Sequence, residues 1–285
     1  MMFYIPEVTK PNLLIIIGSI FFVIFTLLVG TSKMALSQEI VFVGSFMIIL
    51  FLLFKLSNEL DANAKKMLIG TAIIIFVFRA MPGVGQGGSW FEIDVLGFDQ
   101  EFLSLLGLIA SFLTILGIFV LRPLMEKSSM TRLIVILSIA GSFFILPSIS
   151  MFYGFHEFTS KLTNGLVDAR FIAIFNTALE SPLGQVSMIP ILAWIAQSAP
   201  SHLKATFFAV LASFTNLALS ASNLGTKYLN QLYVITREVK NDLGIIKTPA
   251  DYSELGILLI IVCVLTLTIP ISVTYIVKKL KLLSY

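Results

Sequence analysis

Eight times along this chain the apolar residues run on for about twenty positions, the length an α-helix needs to cross the hydrocarbon core of a bilayer. The runs lie near residues 12–31, 38–56, 66–84, 101–121, 132–153, 169–197, 203–225 and 255–277. A soluble domain would have to hide nearly all of this surface: 57% of the 285 residues are apolar and only 12% are charged. The mean hydropathy, +0.97, lies outside the range of soluble globular domains. In lipid every backbone N–H and C=O must be satisfied within the protein, which makes helices the natural state of such runs. The fold class expected is therefore an all-α polytopic membrane protein with about eight transmembrane helices. The opening MMFYIPEVTKP lacks the basic region and small-residue cleavage site of a secretory signal, so the first run is expected to stay as a span.

Basic residues set the orientation. With the N-terminus inside, the inner segments hold Lys10, Lys55, Lys65, Lys66, Arg122, Lys127, Arg132, Lys204, Lys278, Lys279 and Lys281. The outer segments hold Lys33, Lys161 and Arg170, with Lys227, Arg237, Lys240 and Lys247 gathered in one long loop where the rule is weak. The expectation is a multi-pass protein of the cell (inner) membrane with both termini cytoplasmic. The outer segment after the third run carries Glu92, Asp94, Asp99 and Glu101 and no Lys or Arg, and reads as a solvated acidic loop.

Several chemistries are disfavoured. The single cysteine, Cys263, excludes an internal disulfide and any multi-cysteine metal site. Gly83 to Gly88, GVGQGG, matches G-x-G-x-x-G in letters only. The dinucleotide fingerprint needs a strand before it and a helix after it, whereas here an apolar run precedes and an acidic loop follows. It reads as a flexible exit from the third span, with Pro82 ending the helix. His156-Glu157 has no second His at metalloprotease spacing, and His202 stands alone, so both read as interfacial histidines. Without paired carboxylates, a His cluster or G-x-S-x-G, no enzyme is expected, and no cofactor, metal or nucleic-acid partner.

The run from Ala169 to Ser198 is the least lipid-like of the eight. Near its middle it carries Asn176, Glu180 and Gln185, with Pro182 and Pro190 among them. A carboxylate at bilayer depth costs roughly 2.5 kcal/mol or more unless protein or water receives it, and so marks a functional site. Each proline deletes a backbone donor, which lipid tolerates only where other groups satisfy the freed carbonyl. Arg79 of the third run lies about 20 Å from the inner face at a rise of about 1.5 Å per residue, and Glu180 about 17 Å from the outer face. These are similar depths in a core about 30 Å thick. Either the two meet across the bundle and line a polar path, or Arg79 snorkels outward and Thr177 or Ser181 holds Glu180. Asn176 shares the Glu180 face, four residues earlier.

In the seventh run Ser213, Asn216, Ser220 and Asn223 fall on one face. That stripe suits either a polar path or close helix packing beside Ala209 and Ala212. The candidate pathway residues are thus Arg79, Asn176, Glu180, Asn216 and Asn223. The short inner loop LRPLMEKSSMTR, Leu121 to Arg132, is either a tether or a gating contact in which Arg122, Glu126, Lys127 and Arg132 pair in one state and release in another.

Phe78-Arg79-Ala80-Met81-Pro82, then Leu96-Gly97-Phe98 with Glu101-Phe102-Leu103, then Ala199-Pro200 with Lys204 to Ala209, then Ser213-Phe214-Thr215-Asn216 follow one another in order across six spans. Together they resemble the C-terminal half of folate–biopterin transporters, a branch of the major facilitator superfamily, over roughly residues 66–277. The resemblance implies a secondary transporter whose last six spans form the C-terminal bundle of a two-bundle fold. The spans holding Arg79 and Glu180 would correspond to the cavity-lining seventh and tenth helices. Leu121 to Arg132 would sit at the superfamily's gating motif, although its usual glycines and aspartate are missing.

On this basis residues 1–65 are a two-helix membrane segment, either the end of a missing N-terminal bundle or a pair set between bundles, and 66–285 are the six-helix bundle. The expected partners are the lipid bilayer, a small solute such as a pterin or other organic anion, and a complementary N-terminal bundle chain. The competing reading is a truncated, non-transporting structural membrane fragment.

Overall fold

The computed structural model describes residues 13–32, 34, 36–198, 204–241 and 243–282. Lys10, Lys33, His202 and the Ala199-Pro200 pair lie outside the described residues. The chain is an all-α polytopic membrane protein, and the eight expected runs are helical, as α1 (Leu13–Gly30), α2 (Ser37–Ser57), α3 (Ala62–Arg79), α5 (Gln100–Val120), α7 (Met130–Phe152), the pair α9 (Ala169–Glu180) and α10 (Met188–Ser198), α11 (Lys204–Leu232) and α12 (Leu255–Lys279). Three short helices join them: α4 (Gln86–Asp94), α6 (Arg122–Lys127) and α8 (Phe155–Leu162). Five helices, α2, α5, α7, α11 and α12, are long and apolar enough to span by themselves. α1 is apolar but shorter as described, α3 carries Lys65, Lys66 and Arg79, and α9 and α10, of 12 and 11 residues, are each too short to span alone.

Helix starts follow local chemistry. Asp61, Asp99, Ser129 and Asp168 each cap a helix by accepting backbone N–H groups of the first turn, filling donors that lipid would leave unpaired. The Asp61 cap begins α3 earlier than its apolar run suggests, and Pro82 ends it by disfavouring helix in the residue before it. The helix therefore stops at Arg79 rather than near residue 84.

The core falls into separate clusters, of which two are the largest. Toward the α6 end, Leu52 and Leu56 of α2 pack with Ile74 and Ile75 of α3, Ile195 of α10, and Phe207 and Leu211 of α11. Toward the α4 end, Phe91 and Ile235 pack with Leu255, Leu258 and Leu259 of α12. α7 and α12 share a long seam, at whose middle Ser142 Oγ donates to the Cys263 carbonyl at 3.2 Å and Cys263 Sγ donates to the Ser142 carbonyl at 3.4 Å. α5 buries only Phe102 and Gly117. Its Leu105, Leu108, Phe112, Leu116 and Phe119 are exposed, as lipid-facing side chains are.

Residues 233–254 are built as a cap. Strands β1 (Val239–Lys240) and β2 (Ile246–Thr248) pair antiparallel, and Thr236 bridges Asp251 below them.

Candidate functional site

Two segments interrupt the helices among these spans. After α3, residues 80–85 run without regular structure, and α11 satisfies them. Ser222 Oγ donates to the Met81 carbonyl at 2.6 Å, Thr226 Oγ1 accepts from Gly83 N at 2.9 Å, and Asn230 Nδ2 donates to the Val84 carbonyl at 3.1 Å. These three polar side chains recur every fourth residue of α11, so one helix face supplies the missing partners. Gly85, at φ +78, then sets the left-handed turn from which α4 starts. A helix does open within the GVGQGG letters, at Gln86, and continues to Asp94 where an acidic loop was expected, but α3 and not a strand precedes it, so the dinucleotide reading fails on the strand.

The second interruption replaces the single helix expected over 169–197. α9 stops at Glu180, a 3-10 turn covers Ser181–Leu183, turns continue to Ser187, and α10 begins at Met188. Pro182 removes one backbone donor. Ser181 Oγ donates to the Thr177 carbonyl, and the Ser181 carbonyl accepts from Gly184 N at 3.0 Å and from Thr114 Oγ1 of α5 at 2.9 Å. α5 comes so close here that a Cβ on Gly117 would overlap the Pro182 backbone.

Glu180 ends α9 exposed on the surface of the chain, with Asn176 Nδ2 at 3.5 Å from its Oε2. Arg79 does not meet it. The half-buried guanidinium turns to α11 and α10, Nε donating to the Thr215 carbonyl at 3.1 Å and Nη1 lying 3.5 Å from Met188 Sδ. Neither expected alternative describes it: Arg79 is held by a carbonyl and a sulfur, and no ion pair joins it to Glu180 among the described residues. Likewise Asn176, and neither Thr177 nor Ser181, is the neighbour of the carboxylate.

The Ser213, Asn216, Ser220 and Asn223 face of α11 is exposed along its length. At Ser220 and Asn223 it forms one wall of an open cleft of about 800 Å³, whose other wall is α2. Gln38, Ser45, Gln86 and Lys227 add polar groups, and Phe42 a ring. Sequence reasoning missed these groups. It also missed the bond that closes the cleft's end: Lys227 Nζ lies 2.6 Å from Glu39 Oε1, and Tyr228 Oη donates to the same oxygen at 2.9 Å. Glu39 and Lys227 are 188 residues apart in sequence, so no local pattern could have linked them. Ser222, Thr226 and Asn230, by contrast, were legible as an i, i+4, i+8 stripe beside the one selected.

The loop Leu121 to Arg132 is partly helical. Within α6, Arg122 Nε pairs with Glu126 Oε1 at 2.7 Å, both well exposed. Lys127 and Arg132 are exposed, and Arg132 N donates to the Ser129 cap at 3.3 Å. Leu121, Leu124 and Met125 pack with Leu183 and Val186, which lays this loop against the break between α9 and α10.

The acidic segment is also more structured than a solvated loop. Asp94 of α4 takes a two-pronged ion pair from Arg237, at 2.7 and 2.9 Å, and a hydrogen bond from Tyr252 Oη at 2.6 Å. These bonds, Arg237 first, hold the Asp94 carboxyl below its usual range. Burial and then the Asp94 bond push the Tyr252 phenol up to about 12. Asp99 pairs with Arg170 at 2.7 Å. No group of three or more metal-ligating side chains occurs among the described residues.

A protein-family model described as the BT1 family matches residues 55–284. The chain is 21% identical, over 158 residues, to a protein named folate-biopterin transporter from Synechocystis sp.; the match takes in 55% of this chain and 31% of that relative. The chain thus covers about a third of the relative's length. No solved structure matches it.

Proposed function

The chain belongs to the BT1 family, and on that premise we propose that it is a membrane secondary transporter that moves a small organic solute, a pterin or another organic anion, by alternating access as one part of a two-bundle carrier. The observation that carries this reading is Glu180, a carboxylate placed at a helix break between two half-spans and exposed on the chain's own surface. Against lipid it would cost roughly 2.5 kcal/mol or more, so water, solute or a further bundle must receive it. Half-helices meeting at such depth are how carriers in general expose backbone and polar groups to a cargo.

In this reading residues 66–285 form the C-terminal bundle, 1–65 are a two-helix segment, and both termini are cytoplasmic in the cell (inner) membrane. Glu180, Asn176, Arg79, Asn216 and Asn223 line the pathway. The α2–α11 cleft suits a hydrogen-bonding ring: Gln38, Gln86 and Asn223 supply amides and Phe42 supplies a stacking face, while Lys227 is already paired with Glu39. The α6 loop, packed under the break, couples opening of the inner mouth to movement of α10 against α9.

Vesicles reconstituted with this chain and a complementary N-terminal bundle test the proposal. They should take up folate or biopterin, and Glu180→Gln should lower the rate roughly tenfold, about 1.4 kcal/mol of barrier. An unchanged rate in that variant removes Glu180 from the mechanism, and absence of uptake in every combination favours a non-transporting structural role.

A further inference from the structure

At the α4 end of the molecule, apart from Glu180 and the α2–α11 cleft, a cavity of about 180 Å³ lies between α4, α7 and the start of α12. Phe91, Met151, Leu255 and Leu259 make its apolar walls; its polar side chains are Ser89 and Glu92 from α4 and Ser148 from α7. Glu92 is half-buried there, and among the described residues no hydrogen bond or ion pair reaches its carboxylate. Two acids of the same segment are matched, Asp94 by Arg237 and Asp99 by Arg170, and Glu101 is exposed.

Among the described residues no basic side chain compensates it. α4 presents Ser89 beside Glu92 itself, α7 presents Ser148, the α12 start presents only leucines, and the Val84–Gly85 loop brings backbone. Burial alone pushes the Glu92 carboxyl up from its usual range. A carboxylate withdrawn from water without a partner is unfavourable, and a cation bound beside it removes the penalty. Carboxylate, hydroxyl and carbonyl oxygens are hard ligands, the set that suits hard metal ions. The volume fits an ion with a few of its waters, at about 30 Å³ for each water. It falls below the roughly 300 Å³ at which pockets for organic ligands begin.

We propose that this cavity binds a small monovalent cation, an alkali-metal ion, with Glu92 as its anionic ligand and the Ser89 and Ser148 hydroxyls as neutral ligands. The site stands independently of the transport reading, since its test is a binding measurement on the full chain alone.

Trp90, two residues before Glu92 on α4 and packed against the cluster of Phe91, Leu255 and Leu259 that walls the cavity, is a built-in reporter. The purified chain in detergent at pH 8, with ionic strength held constant by choline chloride, is titrated with sodium or potassium chloride while Trp fluorescence and the thermal midpoint are followed. The expected result is a saturable change in both signals that choline does not give. It should vanish in Glu92→Gln and weaken several-fold in Ser148→Ala. Trp90→Phe should lose the fluorescence change while keeping the thermal shift. The proposal is overturned if sodium and potassium behave as choline does, or if Glu92→Gln keeps the saturable response. A response to pH with no alkali dependence at pH 8 also overturns it, leaving Glu92 as a protonation site.

Discussion

Residues 80–85, after α3, and residues 181–187, between α9 and α10, both abandon helical hydrogen bonding among the spans, yet they are secured in opposite ways. The first segment hands its backbone groups to another helix: Ser222, Thr226 and Asn230 of α11 take Met81, Gly83 and Val84 in turn. The second satisfies most of its groups locally, through Gly184 to Ser181, Val186 to Leu183 and Ile189 to Gln185, with Thr114 as the one hydrogen bond from α5. A segment tied across helices fixes their relation, because bending it breaks bonds that lipid cannot replace. A segment whose bonds stay within itself can act as a joint. The difference identifies the α3–α4 exit as scaffold and the α9–α10 break, with Glu180 at its edge, as the part able to change shape.

The comparison can be broken most severely at Gly117, where the joint depends on close approach of α5. Gly117→Val should lower stability by about 3 kcal/mol through overpacking against Pro182, seen as a collapse of the thermal midpoint in detergent. A normal midpoint would mean that α5 does not constrain the break. Next, Asn230→Leu strips the Val84 carbonyl of its partner and should cost about 1–3 kcal/mol. The matching change at the joint, Thr114→Val, leaves the Ser181 carbonyl its bond from Gly184 N and should cost under about 1 kcal/mol. If Thr114→Val were the more damaging, the assignment of scaffold and joint would reverse.

The weakest test concerns the cap over the scaffold. The Asp94 carboxyl is depressed in the folded chain, so its tie to Arg237 contributes at neutral pH and is lost as pH falls below about 4, where a free Asp titrates. The Tyr252 phenol is raised to about 12, so its contribution is complete below about 10 and disappears as pH climbs toward that value. Limited proteolysis within residues 233–254 should therefore be slow at pH 7 and faster at pH 3. Equal rates at the two values would remove the Asp94 tie from the account.

Length and hydropathy made the eight helical runs legible, five of which are long and apolar enough to span, because lipid admits few alternatives to a helix of about twenty apolar residues. The break at 181–187 was half legible. Pro182 announced a disturbance, but the choice of a full interruption depends on the room that Gly117 leaves on α5, which no pattern within 169–197 records. Glu180 was found because a carboxylate in an apolar run stands out on its own. Arg79 was found for the same reason, yet its partners were misjudged: depth along two helices does not give rotation about them, and rotation brought the guanidinium to Thr215 and Met188. The Glu39–Lys227 contact was invisible, since each residue sits near a helix end where a charge needs no explanation. The acidic segment misled for a related reason: Asp94 looks solvated until the cap folds back over it with Arg237.

The reciprocal contact between Cys263 and Ser142 bears on how such motion could be watched. The chain's only thiol is half-buried in the α7–α12 seam and donates to a main-chain oxygen, so water-borne maleimides should label it slowly. The native sequence is therefore close to a silent background for attaching reporters, and a cysteine introduced at position 180 would carry a spin label or dye with little competing signal.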